Sequence, residues 1–459
     1  MKKRVIWMAV LMAALMLAAA FPLSAGGAKN AQGGARETGP SLKGMEIVIG
    51  NWWENYDVSS FEPKNDQEER ILEMRKKIQV DYDFKISQKQ IAGWEQMSQV
   101  AATSIMAGKP AAHIFFLQPN WAMMLLNRNL LANVSGVSSV DLTSSKPVNW
   151  NRAVMESMTF DGKAYAVAIG YGTSRHATGV YFNKRLFREA GLNPDLPYDM
   201  QKNGSWTWNA YMDLCKKLTR DINNDGIIDT YAMPQDLSTD ILDALVASNG
   251  ANYIGRDAIG KFTNATNSNE FIQALQFAMR MRAEGIMKPR PEGSNWDWYK
   301  AEFRDGKVAM MVAQEYMANE IQTMRDDWGF VIFPKGPACR DYRYSCDENV
   351  MVIPSTYTPE EVEKILFAAK LWYTPVDDDD DAWKLGMYNQ YRDSRAVDET
   401  LAMFRDPKYG SIKNYVYIPG LERGDIAWQM FWWEGDPAQL VETVSQSWGD
   451  LIHQANGAK

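Results

Sequence analysis

Apolar runs of strand length alternate with segments of helical periodicity along residues 45–131, and this alternation constrains the fold more than any other feature. Strands are indicated by short runs rich in β-branched and aromatic residues, and helices by apolar residues three and four positions apart. The predicted strands are 45–49, 80–86 and 113–117, and the predicted helices are 66–78, 93–106 and 121–131. This order predicts an α/β fold with a mostly parallel sheet.

The same two patterns continue through the rest of the chain without an internal repeat. Strands are predicted at 179–182, 308–312 and 329–333, and helices at 183–190, from 207 onward, and at 270–282, 316–324 and 360–373. At roughly 150 residues per domain, a chain of 459 residues has room for two or three domains. We therefore expect more than one α/β unit.

The N-terminus has the features of a secretory signal. Positively charged residues at 2–4 precede an uninterrupted apolar run at 5–20, and residues 23–25 offer a small residue for cleavage. An apolar run of 16 residues is shorter than the roughly 20 that span a bilayer. We therefore predict that residues 1–25 are a cleaved signal peptide, with an uncleaved membrane anchor as the alternative.

Residues 26–43 are rich in glycine and polar residues and are predicted to form a flexible leader. No cysteine lies near the cleavage site, so the sequence offers no attachment point for a lipid. No later segment is long and apolar enough to span a membrane. We therefore expect an exported protein that is soluble, periplasmic or extracellular, and not lipidated.

The charge and the histidine content argue against several classes of function. The chain has 49 Lys and Arg against 57 Asp and Glu, a net charge of −8, whereas nucleic-acid binding needs a basic face. Three histidines leave no room for a His-rich metal centre, and the chain has no HExxH and no CxxC motif. No catalytic residue is predicted, although the many acidic residues leave a glycosidase-type carboxylate pair open.

The three cysteines leave one disulfide undecided. Cys339 and Cys346 lie seven positions apart in a polar stretch and could close a small loop in an oxidising compartment. Their spacing alone does not fix the distance between them, so both states stay open. Cys215 lies in a helical pattern and is expected to be a buried free thiol.

Residues 221–229 (DINNDGIID) have the oxygen-ligand spacing of a calcium loop, in which alternating side chains surround a hard cation and Gly226 permits the sharp turn. The predicted metal ligands are Asp221, Asn223, Asp225, the position of Ile227, and Asp229. The match is partial, because Ala232 stands where a bidentate glutamate is expected. A structural Ca²⁺ is one interpretation and a metal-free Asx-rich turn is the other. No cofactor is required.

Two long segments carry a family resemblance. The first, 178–192, reads TGVYFNKRLFREAGL, and the second, 205–234, reads SWTWNAYMDLCKKLTRDINNDGIIDTYAMP. Both resemble the extracellular solute-binding proteins of ABC importers, family 1, a maltose-binding-protein-like group whose members mostly bind sugars. Further segments agree in order and spacing: 303–321 (FRDGKVAMMVAQEYMANEI), 327–337 (DWGFVIFPKGP) and 435–446. Together the resemblance spans about residues 44–454.

The resemblance implies a two-lobed fold like that of periplasmic binding proteins of type II, with a hinge and a ligand cleft between the lobes. The first lobe would hold residues 44–176 and 334–375, and the second would hold 177–333 and 376–459. The chain would cross between the lobes near 174–179, 330–334 and 374–381.

The ends of the predicted strands, where open α/β sheets bind ligands, carry aromatic and polar side chains. Tryptophan suits a sugar because its ring covers the apolar sugar face while its N–H donates a hydrogen bond. Read from the strand ends alone, the candidates are Trp52, Trp53 and Glu54, then Gln118, Asn120 and Trp121, then Glu315 and Tyr316.

The resemblance adds further candidates and implies that Tyr316 stacks on a sugar. Arg175 would either pair with a carboxylate of the ligand or form a salt bridge in the hinge. Trp206 and Trp208 are expected to be structural, while Trp432 and Trp433 are either core or cleft wall. The candidates that the resemblance adds are Tyr171, Arg175 and His176, which lead into the hinge, and Asp236, Asp240, Glu422 and Asp425.

The sequence thus predicts the substrate-binding component of an ABC importer. A monomer would capture a carbohydrate, expected to be an oligosaccharide, by hinge closure and deliver it to the transmembrane permease. One alternative is a secreted carbohydrate-active enzyme, which would cleave its sugar. The other is the same fold binding a non-sugar solute such as a peptide or a polyamine.

Overall fold

The computed structural model describes residues 37–144, 148, 150–170, 176–235, 238–376, 382–432 and 435–457. Its helices and strands lie in the unit Pro40–Lys459. The predicted signal peptide 1–25 and the leader up to residue 36 lie outside the described residues.

The strands are β1 Glu46–Asn51, β2 Lys85–Gln90, β3 Ile114–Leu117, β4 Thr159–Phe160, β5 Lys163–Ala164, β6 Thr178–Asn183, β7 Met233–Pro234, β8 Ile254–Arg256, β9 Phe262–Asn264, β10 Met287–Lys288, β11 Met310–Gln314, β12 Trp328–Ile332, β13 Tyr344–Cys346, β14 Val350–Val352 and β15 Gly410–Ile412.

The helices are α1 Asp66–Asp81, α2 Trp94–Met106, α3 Pro119–Leu126, α4 Arg152–Ser157, α5 Lys184–Glu189, α6 Leu196–Asn203, α7 Trp208–Leu218, α8 Ser238–Ser248, α9 Asn269–Ala283, α10 Trp298–Arg304, α11 Pro359–Tyr373, α12 Ala382–Gln390, α13 Ala402–Arg405, α14 Gly424–Phe431 and α15 Pro437–Gly457. Short 3-10 helices cover Glu315–Asn319 and Asn414–Tyr417, and a π-helical turn covers Ala396–Leu401.

Four strands form the first sheet, in the order β14, β3, β1 and β2. β1 pairs in parallel with β2 and β3, and Ile49 lies opposite Ile114. β14 joins the sheet antiparallel to β3, with Val350 opposite Leu117. The mostly parallel α/β layer predicted from residues 45–131 is confirmed, and we call the elements around this sheet the first lobe.

Helices cover both faces of the first sheet because side chains alternate along its strands. On one face, Phe115 packs in the same core as Met97 of α2 and Met123 of α3. On the other face, Ile49 packs in a core with Ile365 of α11. Both faces are therefore buried, and the edge at the carboxyl ends of β1 and β3 is left to carry polar and aromatic side chains.

The boundary between α1 and β2 differs from the predicted one. Val80 was expected to begin a strand, but it is an exposed residue in the last turn of α1. The helix ends where Asp83 adopts a φ of 52°, a left-handed conformation that cannot continue a right-handed helix. β2 then runs over Lys85–Gln90, so the strand predicted at 80–86 began five residues too early and ended four residues too early.

The second sheet has the order β11, β6 and β12, and we call the elements around it the second lobe. Both outer strands run antiparallel to β6, with Tyr181 opposite Met311 on one side and Phe330 on the other. The prediction of mostly parallel strands is therefore wrong for this sheet, because its central strand runs against both neighbours. On the side of β11 away from β6, the neighbouring chain runs parallel to β11. There the N–H groups of Ala309 and Met310 donate to carbonyl groups of the two residues just before β7.

The segment after β11 is the 3-10 helix Glu315–Asn319 and not the longer helix predicted at 316–324. The carbonyl oxygen of Glu315 accepts hydrogen bonds from the hydroxyl groups of Tyr181, at 2.8 Å, and Tyr391, at 2.5 Å. Both lone pairs of this oxygen are therefore occupied, and it is not available for the bond that an α-helix would make four residues on.

Residues 335–346 pack on the second lobe, although the predicted bounds gave residues 334–375 to the first lobe. The Lys335 N–H donates to the Trp206 carbonyl at 3.1 Å, and the Tyr342 hydroxyl donates to the Gln201 carbonyl at 3.1 Å. β13 also pairs with β15, with Tyr344 opposite Gly410. The chain thus passes between the two sheets at residues 347–349, after the predicted crossing at 330–334.

Several smaller expectations can be compared with the structure. The three cysteines are free, so Cys339 and Cys346 form no disulfide, and Cys215 is the buried thiol that was predicted. Trp206 and Trp208 are buried, and their indole N–H groups donate to the Ile332 carbonyl at 2.7 Å and to the Ser248 hydroxyl at 3.0 Å. Their structural role is confirmed. Leu42 was placed in the flexible leader, but it is buried in the core of the first lobe.

Candidate ligand-binding site

Aromatic rings gather at the carboxyl ends of β1 and β3 in the first lobe. The Trp52 ring contacts the rings of Trp53, at 4.9 Å between centroids, and Trp121, at 5.4 Å. Trp53 also contacts Phe116 at 5.2 Å and keeps 44% of its surface exposed, whereas Trp121 is only 9% exposed. Trp53 thus presents an open ring, while Trp121 supports Trp52 from within the core.

Asn51, the last residue of β1, holds the Trp53 turn in place. It is fully buried, and its Oδ1 accepts hydrogen bonds from the backbone N–H groups of Trp53 and Glu54, both at 2.9 Å. Its Nδ2 has no hydrogen-bond partner among the described residues. The Glu54 carboxylate accepts a further bond from Gln88 of β2 at 3.1 Å. The sequence pattern gave no sign of this role for Asn51.

Polar side chains follow β3 at the same edge. Gln118 is half-buried and precedes α3 without making a side-chain cap, and the Asn120 Oδ1 accepts from the Trp121 N–H at 2.9 Å. Because Val350 lies opposite Leu117, the residues just before β14 continue beside Gln118. The chain that enters the first sheet from the second lobe therefore passes this edge.

In the second lobe, Tyr316 follows β11 and is 47% exposed. The Glu315 N–H donates to the Ala177 carbonyl at 3.0 Å, so the end of β11 is held beside the start of β6. The Tyr316 ring then meets the His176 ring edge-on, with centroids 6.0 Å apart. An exposed aromatic ring thus lies next to the segment that connects the lobes.

A chain of alternating charges runs from this point into the second lobe, and we call it the ionic chain. His176 pairs with Asp347, and the Lys413 Nζ lies 3.5 Å from the Asp347 Oδ2 and 3.4 Å from the Asp243 Oδ2. Arg423 pairs with Asp243 and lies 3.4 Å from the Asp240 Oδ1. Gln314 donates to the Asp240 carboxylate at 3.4 Å, and Tyr415 donates to the Asp243 carboxylate at 2.6 Å. The members are His176, Asp347, Lys413, Asp243, Arg423 and Asp240.

The neighbours of His176 decide its charge. Burial alone would lower its pKa, but Asp347, with smaller contributions from Glu315 and Glu348, raises the pKa to about 9. Burial would likewise raise the pKa of Asp347, yet Lys413 and His176 hold that pKa well below its usual range. At neutral pH the pair is therefore an imidazolium and a carboxylate.

Tyr316 lies in a negative environment. Burial, followed by the carboxylates of Asp240, Glu315, Glu320 and Asp347, raises the pKa of its hydroxyl group. The hydroxyl therefore stays protonated at physiological pH and can donate a hydrogen bond to a ligand oxygen. The exposed ring and the donor hydroxyl together suit a ligand that has both apolar and polar faces.

The remaining predicted site residues lie in different surroundings. Tyr171, Arg175 and Asp236 fall outside the described residues, as does Trp433. Glu422 and Asp425 are exposed around the start of α14, whereas Asp240 is buried in the ionic chain. Asp243, Lys413 and Arg423 were missed, because no local pattern connects residues that are 170 to 180 positions apart.

The predicted calcium loop is closed by its own backbone. The Asp221 carboxylate accepts from the Gly226 N–H at 2.8 Å, and the Asp229 carboxylate accepts from the Ile222 N–H at 2.7 Å. The Asp225 Oδ1 accepts from the N–H of residue 227 at 2.8 Å. Within the described residues, no three His, Cys, Asp or Glu side chains are grouped so as to hold a metal ion. Calcium binding stays a prediction.

A match to one protein-family model covers more than half of the chain. Residues 73–382 match the model of the bacterial extracellular solute-binding proteins. Three Brucella proteins described as binding proteins, two of B. abortus and one of B. suis, are 21% identical over 281 residues, which is 60% of this chain. The chain spans about 62% of the length of these relatives.

Solved structures share the fold over nearly the whole chain. An ABC substrate-binding protein of Listeria monocytogenes in complex with cycloalternan covers 91% of this chain and all of its own, with a TM-score of 0.60 and 16% identity. A cyclic α-maltosyl-1,6-maltose binding protein of Arthrobacter globiformis covers 89% and 99%, with a TM-score of 0.63 and 15% identity.

UgpB of Mycobacterium tuberculosis, in complex with glycerophosphocholine, covers 88% of this chain and 98% of its own, with a TM-score of 0.60 and 16% identity. These similarities confirm the two-lobed fold. Within the part of the chain that the structure describes, every helix is too short or too polar to cross a bilayer.

Proposed function

Because the chain belongs to the family of bacterial extracellular solute-binding proteins, we propose that it binds a carbohydrate between its two lobes and delivers it to the permease of an ABC importer. The family is one of solute-binding proteins and not of enzymes. The proposal adds that the sugar is released unchanged, and that the exported protein acts as a soluble, unlipidated monomer after removal of residues 1–25.

The observation that carries this proposal is the pair of exposed rings, Trp53 and Tyr316. Each follows the carboxyl end of a strand, one in each lobe, and each keeps close to half of its surface exposed. A sugar ring has apolar faces of C–H groups and a rim of hydroxyl groups, so it suits aromatic faces bordered by polar side chains. Two of the similar structures are named for carbohydrate ligands, which supports this class of solute.

The charged groups near Tyr316 also favour binding over catalysis. Asp240, Asp243 and Asp347 are each held by a cation of the ionic chain. A glycosidase needs one carboxyl group that stays protonated and a second, ionised one on the other side of the bond. The pKa of the Asp347 carboxyl group is held well below its usual range by Lys413 and His176, so this group is a poor proton donor.

A ligand screen of the chain from residue 26 onward tests the proposal. Thermal unfolding would be followed with mono- and oligosaccharides, uronosyl saccharides, glycerophosphocholine, peptides and polyamines. A ligand at 100 times its dissociation constant stabilises the fold by roughly 2.7 kcal/mol. We expect the midpoint to rise with saccharides, and mass spectrometry to recover the saccharide intact. Recovery of cleaved saccharide would show that the chain is an enzyme. A rise of the unfolding midpoint with non-sugar solutes alone would overturn the carbohydrate proposal.

A further inference from the structure

Each of the two exposed rings of the proposed site has a glutamate as its neighbour in the chain. Glu54 follows Trp53 in the first lobe, and Glu315 precedes Tyr316 in the second lobe. Glu54 is exposed, whereas Glu315 is half-buried. A ligand that covers either ring therefore comes close to the charge of a carboxylate, so its own charge affects its binding.

The Glu54 carboxylate keeps its charge at the edge of the first lobe. Its Oε1 accepts a hydrogen bond from the Gln88 amide at 3.1 Å, and an amide is a neutral donor that cancels no charge. Gln88 is buried, and its Oε1 accepts from the Trp372 indole N–H at 3.4 Å, so the amide is held in one orientation. Glu54 therefore presents a negative charge at a fixed place beside Trp53.

Four carboxylates act on the Tyr316 hydroxyl group in the second lobe. After burial, the largest contributions that raise the pKa of this hydroxyl come from Asp240, Glu315, Glu320 and Asp347. Asp240 lies next to the end of β11, since the Gln314 amide donates to its Oδ1 at 3.4 Å. Glu320 directly follows the 3-10 helix that carries Tyr316, and its side chain is exposed. The hydroxyl that a ligand meets is therefore in a negative field.

The lysines that balance these carboxylates are each shared between two of them. The buried Lys413 lies between Asp347 and Asp243. The Lys300 Nζ lies 3.8 Å from the Glu320 Oε2 and 3.5 Å from the Oδ2 of a second acidic residue, Asp297. One positive charge cannot neutralise two carboxylates, so negative charge is left over around Tyr316.

His176 adds a positive charge beside Tyr316 without reversing the sign of this field. Its imidazolium pairs with the Asp347 carboxylate, and the carboxylates of Glu315 and Glu348 also act on it. Three carboxylates thus act on one imidazolium. The charge of His176 is therefore already balanced before an anionic ligand could use it.

A negative field beside aromatic faces distinguishes saccharides by their charge. The ammonium group of an amino sugar is attracted by carboxylates and by the face of an aromatic ring. The carboxylate of a uronate and the phosphate of a phosphorylated sugar are repelled by the same carboxylates. Hydroxyl groups donate and accept hydrogen bonds in all three kinds of sugar, so they do not make this distinction.

We infer that the site selects saccharides by charge: it binds an amino sugar more tightly than the neutral sugar of the same scaffold, and it rejects the corresponding sugar acid. The inference rests on the proposed function and names the class of saccharide that the site takes. Glu54 and Glu315, each beside an exposed ring, are the residues that carry it. It argues against the ligand carboxylate that was one interpretation of Arg175.

Calorimetric titration with matched saccharides tests this inference. The probes have glucose, galactose or mannose units, each in the neutral, 2-amino and uronate forms, as single units and as trisaccharides. At about pH 6 the amine is protonated and the uronate is ionised. We expect the affinity of the wild-type chain to fall in the order amino, neutral and uronate, with a difference of at least about tenfold between the first and the last.

Variants that remove one negative charge show where the preference comes from. Glu54→Gln and Glu320→Gln keep the shape of the side chain, and each should lower the ratio of amino to uronate affinity about threefold. Glu360→Gln is the matched control, because Glu360 is also exposed and pairs with one lysine, Lys364, at 2.7 Å. Since β14 runs antiparallel to β3, α11 begins toward the opposite edge of the first sheet from Trp53, and the ratio should keep its wild-type value.

An amino sugar that binds no more tightly than its neutral or uronate form would overturn this inference alone, as would a ratio that neither Glu54→Gln nor Glu320→Gln lowers. A uronate preference that is lost in Arg175→Gln would assign the carboxylate of the ligand to Arg175 instead. A wild-type chain that binds no saccharide in any form would overturn the proposed function and this inference with it. Thermal unfolding of each variant shows whether the fold is intact.

Discussion

The His176 imidazole pairs with the Asp347 carboxylate, and the two residues belong to two of the chain segments that pass between the sheets. His176 precedes β6 on the way into the second lobe, and Asp347 precedes β14 on the way back into the first. Lys413 then connects Asp347 to the interior of the second lobe. The two connecting segments are thus joined to each other by charge, directly beside Tyr316.

This pair makes stability depend on pH. Folding raises the pKa of His176 from 6.5 to about 9, so its contribution is fully present below pH 6.5 and is lost as the pH rises through 9. His176→Gln should therefore lower the free energy of unfolding by on the order of 3 kcal/mol at pH 6, with a smaller deficit at higher pH. Urea unfolding of both proteins from pH 6 to 10 measures this. The exposed His453→Gln is the control, and a deficit that is constant across this range would contradict the assignment.

Tyr316 and Trp53 should contribute to binding without supporting the fold. Tyr316→Ala and Trp53→Ala each remove an exposed ring, so we expect at least tenfold weaker binding of the saccharide, roughly 1.4 kcal/mol or more. The midpoint of thermal unfolding should change little, because exposed substitutions usually shift stability by about 0.5 kcal/mol or less. Tyr316→Phe keeps the aromatic face and should retain most of the affinity. Unchanged affinity in both alanine variants would show that the site lies elsewhere.

Asn51 should act on binding through Trp53. Asn51→Leu leaves the N–H groups of Trp53 and Glu54 without their buried acceptor, which costs about 1–3 kcal/mol of stability. We expect weaker saccharide binding together with a changed emission spectrum of the neighbouring tryptophans. Asn51→Asp keeps an acceptor oxygen at the same place and should retain more of the affinity. Equal losses in the two variants would argue against a positioning role.

Removal of the buried lysine should be among the most damaging single changes. Lys413 is 1% exposed and lies between Asp243 and Asp347, so Lys413→Met leaves carboxylates without their shared cation. Breaking a buried ion pair from one side costs about 3–5 kcal/mol, which chemical unfolding would detect. Lys408 forms an exposed pair with Asp341, and Lys408→Met should change stability by about 0.5 kcal/mol or less. Similar effects of the two variants would contradict the importance of the ionic chain.

The calcium prediction can be tested directly on residues 221–229. If Ca²⁺ binds, millimolar Ca²⁺ should raise the midpoint of thermal unfolding relative to EDTA. Asp225→Asn should remove most of this rise, whereas Asp257→Asn in another exposed turn of the second lobe should leave it intact. Identical unfolding curves in Ca²⁺ and EDTA would establish the metal-free Asx turn.

Local patterns were sufficient to predict the elements that carry the exposed rings. The alternation at residues 45–131 placed Trp53 after β1, and the apolar run at 308–312 placed Tyr316 after β11. Both strands are short and are flanked by clear changes of pattern. The position of Trp121 after β3 was predicted in the same way, but its burial was not. The rings of Trp52 and Trp94 pack against Trp121, and these contacts are visible only in the structure.

Long-range contacts explain what the sequence did not reveal. The second crossing was placed too early because residues 335–346 have no helical or strand periodicity, and their hydrogen bonds to α6 and β15 are not visible locally. The ionic chain joins residues from segments that lie far apart, so no spacing rule could bring Lys413 to Asp347. Asn51 was missed for a different reason. Its place at the end of a strand gave no sign of its role, which only its burial in the structure shows.

The backbone oxygen of Glu315 has a mechanical consequence. It accepts from Tyr181, in the central strand of the second sheet, and from Tyr391, just beyond α12. The residue that follows this oxygen is Tyr316. The backbone at Tyr316 is therefore tied to the chain just beyond α12, so a ligand that displaces this backbone would also displace the oxygen that anchors Tyr391.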